Sequence, residues 1–268
     1  MNSQPLIPPI GKPVKLANFD PGINGGSNKE AAESELKKLQ NRLAELQEIM
    51  YAQGKHALLV ILQGMDTSGK DGAIKAVFES VNPIGVRVAA FKAPTALELS
   101  HDFLWRVHQQ VPPKGYIGIF NRSHYEDVLI VRVNSLVRRE VWEKRYEQIN
   151  AFEKLLSESG TLVLKFFLHI SKEEQKERLL ARLNDPNKRW KFSMDDLPVR
   201  DHWDDYMRVY EDALTRCNTE HTPWHIVPSN RKWYRNLVIT RTIVEAMGKL
   251  ELRFPEPADG LEKIVIPD

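Results

Sequence analysis

Nine consecutive residues, Gly64-Met65-Asp66-Thr67-Ser68-Gly69-Lys70-Asp71-Gly72, fit the G-x-x-x-x-G-K core of a phosphate-binding loop. Phosphate oxygens need several backbone N–H donors converging on one point. A glycine-rich turn supplies them, and the helix that follows adds the positive end of its dipole. Lys70 contributes a point charge, while Gly64, Thr67, Ser68, Gly69 and Gly72 shape the cradle. Asp71 stands where such loops commonly carry a Ser or Thr hydroxyl for Mg²⁺, so a metal must find another ligand. Asp66 puts a further negative charge inside the loop. Two readings account for it: a Mg²⁺ ligand between the carboxylate and bound phosphate, or an Asx-type turn stabiliser.

A second polar group, Asn121-Arg122-Ser123-His124-Tyr125-Glu126-Asp127, follows the apolar run Tyr116-Ile117-Gly118-Ile119-Phe120. Phosphate-loop enzymes usually end this kind of strand on a metal-binding Asp. Here that position is Asn121, and the carboxylates come later, as Glu126 and Asp127. Arg122 has the fork geometry for bidentate contact with a phosphate. Ordinary capping of a helix N-terminus would use the same residue types, and the neighbouring phosphate loop tips the reading toward function. His124 is assigned no chemistry. A third group lies at 176–191, where Lys176, Arg178, Arg182, Lys188, Arg189 and Lys191 face only Glu177 and Asp185. This one stretch carries more positive charge than the net +2 of the whole chain. Such a run is either a solvated helix face or a lid that closes on a polyanion and brings arginines to a transferred phosphoryl group.

The elements that must position these groups follow from the pattern of apolar residues. The runs ALLVIL, VRVAAF, YIGIF, TLVLKFFLHI and WHIVP read as strands buried on both faces, and helical stretches alternate with them. The helices are expected from about Gly72, at Leu97 to Val111, after YIGIF, at 171–183, at about 201–216 and near 231–249. That alternation predicts a three-layer α/β/α domain built on five parallel strands with right-handed crossovers. From Lys29 to Gln53, Leu36, Leu39, Leu43, Leu46 and Met50 recur at helical spacing, which predicts a helix packed on the core. A coiled-coil or dimer face is the alternative. Residues 1–28 read as an extended arm laid over the surface or left mobile. The stretch FPEPADGLEKIVIPD reads as a tail that packs through Ile264, Val265 and Ile266.

With 268 residues, 42% hydrophobic and 28% charged, the chain has the composition of a globular protein and excludes disorder throughout. One cysteine, Cys217, allows no intramolecular disulfide and reads as inert packing. Prolines interrupt the first residues before a signal-peptide core builds up, and no apolar run reaches the roughly 18 residues of a membrane span. These features point to a cytoplasmic protein with no membrane partner.

The set GMDTSGKDGAIK, NPIGVRV, FLWRVHQQVPPKG, FNRSHYEDVL, KFFLHISKEEQKERL, DPNKRWKF and KWYRN, in this order from about Lys29 to Ile266, resembles the second family of polyphosphate kinases. The resemblance implies a thymidylate-kinase-like phosphate-loop fold in one domain over 29–268, with a helical lid at about 171–195. It also implies transfer of phosphoryl groups between inorganic polyphosphate and nucleotides. The branch acting on ADP alone tends to read FDRSWYNR at the third strand. FNRSHYED is similar to the branch that accepts both AMP and ADP, which implies stepwise conversion of AMP to ADP to ATP.

Carried over by position, the resemblance makes Asp66, Lys70, Arg122 and Arg182 catalytic. Gly64, Thr67, Ser68, Gly69, Asp71, Gly72, Glu126 and Arg132 would bind phosphate or nucleotide, Glu126 being the position associated with a monophosphate acceptor. Arg178, Lys188, Arg189 and Lys191 would bind polyphosphate. Asp66, Glu126 and Asp127 would hold Mg²⁺, with Mn²⁺ as a possible substitute, and a homodimer or homotetramer is implied. Two rivals remain: an ATP-dependent nucleoside monophosphate kinase, and a non-catalytic nucleotide or nucleic-acid module in which Trp190 and Phe192 interleave with the basic run. A pI near 8.5 gives no extended basic surface for nucleic acid, so no such partner is expected.

Overall fold

A computed structural model describes residues 7–194, 196–261 and 264–267. Helix α1, Lys29–Gln53, starts where the Asn28 side chain accepts the Ala31 N–H and stops at Gly54, whose φ of 62° suits a residue without Cβ. Strand β1, Ala57–Gln63, is buried at every position. It leads through the glycine-rich loop into α2, Lys70–Val77. Strand β2, Val86–Ala90, is followed by two short helices, α3 at Ala96–Leu99 and α4 at Trp105–His108. Strand β3, Ile117–Asn121, runs into a 3-10 turn at His124–Val128. Next come α5, Ile130–Val133, and α6, Arg139–Glu158. Strand β4, Thr161–His169, precedes α7, Lys172–Asn184. A 3-10 turn at Arg189–Lys191 leads to α8, Asp196–Asp201, and α9, Trp203–Arg216. Strand β5, Trp224–Pro228, and α10, Lys232–Met247, complete the fold.

The five strands are parallel, in the order β2-β3-β1-β4-β5. Strand periodicity divides β1 between two cores. Leu58, Val60 and Leu62 join residues of α1, α2 and α10 on one face. Leu59 and Ile61 join residues of α6 and α9 on the other. This is the expected three-layer architecture, with helices on both faces of the sheet; the expectation that VRVAAF is buried on both faces fails, because β2 is an edge strand with Arg87, Val88 and Ala90 exposed. Leu62 pairs with Asn121, so the loop after β1 and the segment after β3 leave the carboxyl edge side by side. Open α/β sheets bind ligands at that edge. Among the described residues no helix is long and apolar enough to cross a membrane.

Several expectations are corrected. The helix expected over Leu97–Val111 is two single turns. Thr95 and Glu98 form a reciprocal cap, Ser100 Oγ bonds back to the Leu97 carbonyl, and Asp102 Oδ1 takes the Leu104 N–H, restarting the chain in a new direction. The helix expected at about 201–216 is present as α9, and a short helix that was not expected, α8, precedes it across His202. Val14 and Leu16 of the expected surface arm are buried in the core against α9. The Val14 N–H donates to Thr215 Oγ1 and the Leu16 N–H to Glu211 Oε1, both at 2.8 Å. The tail does not pack as expected: Ile264, Val265 and Ile266 are all exposed. Leu43, Leu46 and Met50 of α1 are buried in their own core beside α10, so that stripe needs no coiled-coil partner.

Candidate active site

The phosphate loop is wound tightly enough to need unusual backbone. Gly64, Thr67 and Gly69 have φ of 151°, 63° and 98°, and Thr67 is one of only three described non-glycine residues at positive φ. Strain of this kind persists where the surrounding structure enforces it. The Ser68 N–H closes on the Met65 carbonyl at 3.0 Å. The hydroxyls of Thr67 and Ser68 are buried and find no hydrogen-bond partner in the protein. Such groups are costly unless a ligand or water satisfies them. Lys70 is also buried, and its ammonium donates to the carbonyls of Gly64 at 2.8 Å and Met65 at 3.2 Å. Burial, reinforced by repulsion from Arg122 and opposed by Asp66, lowers its pKa to about 8.

The segment after β3 closes the cradle from the side. Arg122, at a φ of 62°, sends one Nη to Asp66 Oδ1 at 2.6 Å and the other to Glu126 Oε2 at 3.4 Å. Its guanidinium therefore joins the loop carboxylate to that of the 3-10 turn. Burial would lower the Arg122 pKa, but Glu126 and Asp66 outweigh it and the net direction is up. Gln63, the last residue of β1, donates to Glu126 Oε1 at 3.2 Å. Asn121 donates to Asp71 Oδ1 at 2.6 Å, fixing the residue that replaces the usual hydroxyl. Asp66, Lys70, Arg122 and Glu126 thus lie together at the carboxyl edge of the sheet.

Other expected members are seated elsewhere. Asp127 turns away: Arg145 Nη1 donates to its Oδ1 at 2.9 Å and to its carbonyl at 3.0 Å, and burial raises its carboxyl pKa. A carboxylate so engaged is a poor metal ligand. Arg132 lines a separate cavity of about 350 Å³ with Arg139, Trp142, Glu143, Asp212 and Arg216. There it pairs with Asp212 at 2.8 Å and lies 4.1 Å from the centre of the Trp142 ring. Arg178 does not project from the lid toward solvent. It is buried behind the phosphate loop, donating to the Thr67 and Ser68 carbonyls at 2.9 Å and to the Ser229 carbonyl at 2.5 Å, with Glu174 at 2.7 Å. Lys188, Arg189 and Lys191 are exposed, in a turn folded back on α7. Arg182 bonds the Lys191 carbonyl, Arg189 bonds the Leu183 carbonyl, and Lys188 pairs with Asp185.

Some contributors carry no sequence signal of their own. Tyr206 and Tyr210, four apart on the buried face of α9, lie close enough to Glu126, Asp66 and Arg122 for those charges to bear on their phenols. Burial first, then Glu126, pushes Tyr206 up to about 12, and Tyr210 shifts the same way. Gln175 donates to the Asp66 carbonyl at 3.0 Å and is braced by Arg200. The i, i+4 tyrosines resemble core packing in sequence, and only their seat beneath the carboxylates distinguishes them.

No group of three or more His, Cys, Asp or Glu side chains among the described residues is arranged to hold a metal ion by itself. A Mg²⁺ is usually held by one or two carboxylates together with substrate phosphates. Asp66 and Glu126, oxygen donors flanking one guanidinium beside the unsatisfied loop hydroxyls, fit that requirement.

Comparison with known proteins places the chain in a family. A model of the family Polyphosphate kinase 2 matches residues 26–255. The AMP/ADP-polyphosphate phosphotransferase of Meiothermus ruber is 52% identical over 97% of this chain and 98% of its own length. The ADP-polyphosphate phosphotransferase of Rhodopseudomonas palustris is 44% identical over 94% of this chain and 92% of its own. The crystal structure of polyphosphate kinase 2 from Arthrobacter aurescens superposes with a TM-score of 0.92 at 45% identity, covering 95% of this chain and 92% of that one.

Proposed function

The chain belongs to the polyphosphate kinase 2 family, and from that membership we infer that it moves phosphoryl groups between inorganic polyphosphate and nucleotides, taking AMP to ADP and ADP to ATP. The observation that carries the reading is Arg122, which ties Asp66 of the phosphate loop to Glu126 of the neighbouring turn. That bridge joins a cradle for the donor phosphate to the carboxylate associated with a monophosphate acceptor. The relative named for both AMP and ADP, over nearly the full length of both chains, supports the same choice of acceptors.

The reaction is an in-line displacement. An oxygen of the acceptor's phosphate attacks the terminal phosphorus of polyphosphate, the bridging P–O bond breaks, and the electron pair leaves with a polyphosphate one unit shorter. The acceptor oxygen is already ionised near neutral pH, so neither a protein nucleophile nor a strong base is required. Positioning and charge stabilisation supply most of the catalysis. Lys70 and the loop N–H groups hold the terminal unit, Arg122 orients the two carboxylates against it, and Arg182 approaches from the lid. The basic turn with Lys188, Arg189 and Lys191 tracks the rest of the polyanion. Mg²⁺, or Mn²⁺ in its place, would be held by Asp66 and Glu126 and would offset phosphate charge.

Incubating the protein with AMP, polyphosphate and Mg²⁺ in the absence of ATP tests the reading. ADP should appear first and ATP after it, with matching loss of polyphosphate units. Product that forms only when ATP is the donor would instead identify a nucleoside monophosphate kinase.

A further inference from the structure

Arg235 lies in the KWYRN stretch, on α10 rather than in the loop, lid or carboxylate edge. It is 2% exposed. Its Nη1 donates to the Ser68 carbonyl at 3.3 Å, and its Nε and Nη2 share the Oδ1 of Asn236 at 3.1 and 2.8 Å. Gly69 packs so closely on this guanidinium that a Cβ there would collide with it. Arg178, the neighbouring buried arginine, has Glu174 at 2.7 Å. Arg235 forms no ion pair with any carboxylate among the described residues, and the nearby charge acting on it is another cation, Arg178. Burial and that repulsion lower its pKa to about 10, which leaves it charged at neutral pH. Lys232, one turn earlier, is also lowered, by burial and then by Arg178 and Arg235.

A buried cation without a counter-charge costs folding free energy, so what lies opposite it matters. The Ser68 carbonyl accepts from both Arg178 and Arg235. It shares a planar trans peptide with the Gly69 N–H, which points the other way. Positive charge on the carbonyl side polarises the peptide and makes that N–H a stronger donor. We propose that Arg235 is a positioning residue for the polyphosphate donor: it polarises the Ser68–Gly69 peptide toward the bound terminal phosphate, whose negative charge compensates the guanidinium in return. The inference rests on polyphosphate as donor. It adds that Arg235 is a liability to the free protein, relieved when the loop holds phosphate.

The test is thermal melting of the parent, Arg235→Met, Arg235→Gln and Arg235→Lys, each alone, with polyphosphate of defined length and no nucleotide, and with AMP alone. In the parent, polyphosphate should raise the melting temperature; absence of that rise would remove the donor reading itself. Without ligand, Arg235→Met should melt at or above the parent. The polyphosphate needed for half of the thermal gain should rise at least tenfold in the Met and Gln variants and stay within threefold in Arg235→Lys, with the gain from AMP unchanged. In turnover, KM for polyphosphate should rise far more than kcat falls. A Met variant that fails to fold or melts well below the parent, equal behaviour of the Gln and Lys variants, or a loss shared equally by AMP would each overturn the inference.

Discussion

Two charged clusters grow from the same short segment after β3, one on each side of it, and they are built in opposite ways. On the outer side Arg122 reaches Asp66 and Glu126, all three partly exposed, with two contacts of 2.6 and 3.4 Å. On the inner side His124 and Tyr125 reach Glu153, which also binds Lys165 Nζ at 2.6 Å and Thr222 Oγ1 at 2.7 Å; Lys165 further donates to the Cys217 carbonyl. Glu153, Lys165 and His124 are wholly buried. The inner cluster pairs the charges of Glu153 and Lys165 within the protein and leaves His124 Nδ1 without a partner. The outer cluster is loose, beside a loop with two unsatisfied hydroxyls. The difference teaches which ionic groups are structural supports and which await a substrate: charges left partly exposed beside an unsatisfied loop mark the second kind.

Breaking the outer cluster should remove activity and spare the fold. Lys70 contacts only carbonyls of its own loop, so Lys70→Ala should leave the melting curve nearly unchanged and reduce transfer by about 10³-fold or more, the scale on which loss of a cation at a transferred phosphoryl group is felt. Activity within a few-fold of the parent in a folded variant would refute the role. The same lysine predicts a pH limb. Its pKa in the free protein is about 8, and the charged form is the one that holds phosphate. kcat/KM for polyphosphate should therefore be flat below that value and fall about tenfold per pH unit above it. In Lys70→Arg, which stays charged, that limb should vanish from whatever activity survives.

Breaking the inner cluster should do the reverse. Lys165→Met leaves the buried Glu153 carboxylate without its cation, a change that typically costs about 3–5 kcal/mol. At about 2–4 °C per kcal/mol for a domain approaching this size, the melting temperature should drop by roughly 10 °C. A drop under about 2 °C would show that the pair is not a support. Burial would raise the Glu153 pKa, but Lys165 and His124 outweigh it and bring it to about 2, well below the usual carboxylate range. A depressed carboxylate contributes stability that is present above its unfolded pKa and lost as pH falls through its folded one. The parent should therefore lose stability between about pH 4.5 and pH 2 with one proton of uptake that Glu153→Gln lacks.

The sequence reveals the outer cluster far better than the inner one. All five strands are legible because each is a short apolar run, although β2, at the sheet edge, is not sealed like the other four, and the loop is legible because its glycines and lysine have a fixed spacing. Lys165 lies in the middle of β4, in a run otherwise read as core, and no periodicity announces that its partner is Glu153 on α6. Arg178 and Arg182 are four apart on one helix. Both were expected to face the phosphate donor, Arg182 as catalytic and Arg178 as polyphosphate-binding, yet tertiary contacts draw Arg178 beneath the loop and leave Arg182 toward the turn. Asp127 adjoins Glu126 but meets Arg145, a residue of α6 that one-dimensional reading has no means to place beside it. The failures thus fall where a side chain's partner comes from a distant element.

A smaller effect sharpens the comparison within the outer cluster itself. Glu126 binds Arg122 and Gln63 but does not reach the loop, so its loss should leave the donor cradle standing. In Glu126→Asn, phosphorylation of AMP should fall at least about tenfold more than phosphorylation of ADP, equivalent to about 1.4 kcal/mol of selective acceptor stabilisation. Equal losses on the two acceptors would make Glu126 a general support for Arg122, like the groups of the inner cluster.

The smallest effects belong to the lysines of the basic turn, where charges are most exposed, and they stand against a large one at Arg182. Lys188 pairs with Asp185 at 2.6 Å and Lys191 lies 5.0 Å from the centre of the Trp190 ring, contacts that water and salt weaken readily. Arg182 holds this turn to α7 through the Lys191 carbonyl. If the turn tracks the polyanion while Arg182 meets the reacting phosphoryl group, the two kinds of substitution separate in kinetics. Arg182→Ala should lower turnover itself, by about 10³-fold or more. Lys188→Ala and Lys191→Ala should leave turnover within about twofold and raise half-saturation by polyphosphate a few-fold. Each should also flatten its salt dependence by close to one counterion, as each lost phosphate contact does with nucleic acid. Turnover and half-saturation measured at several salt concentrations decide the matter: an Arg182→Ala variant altered only in half-saturation, or lysine variants with the parent's salt slope, would place the turn outside the donor's path.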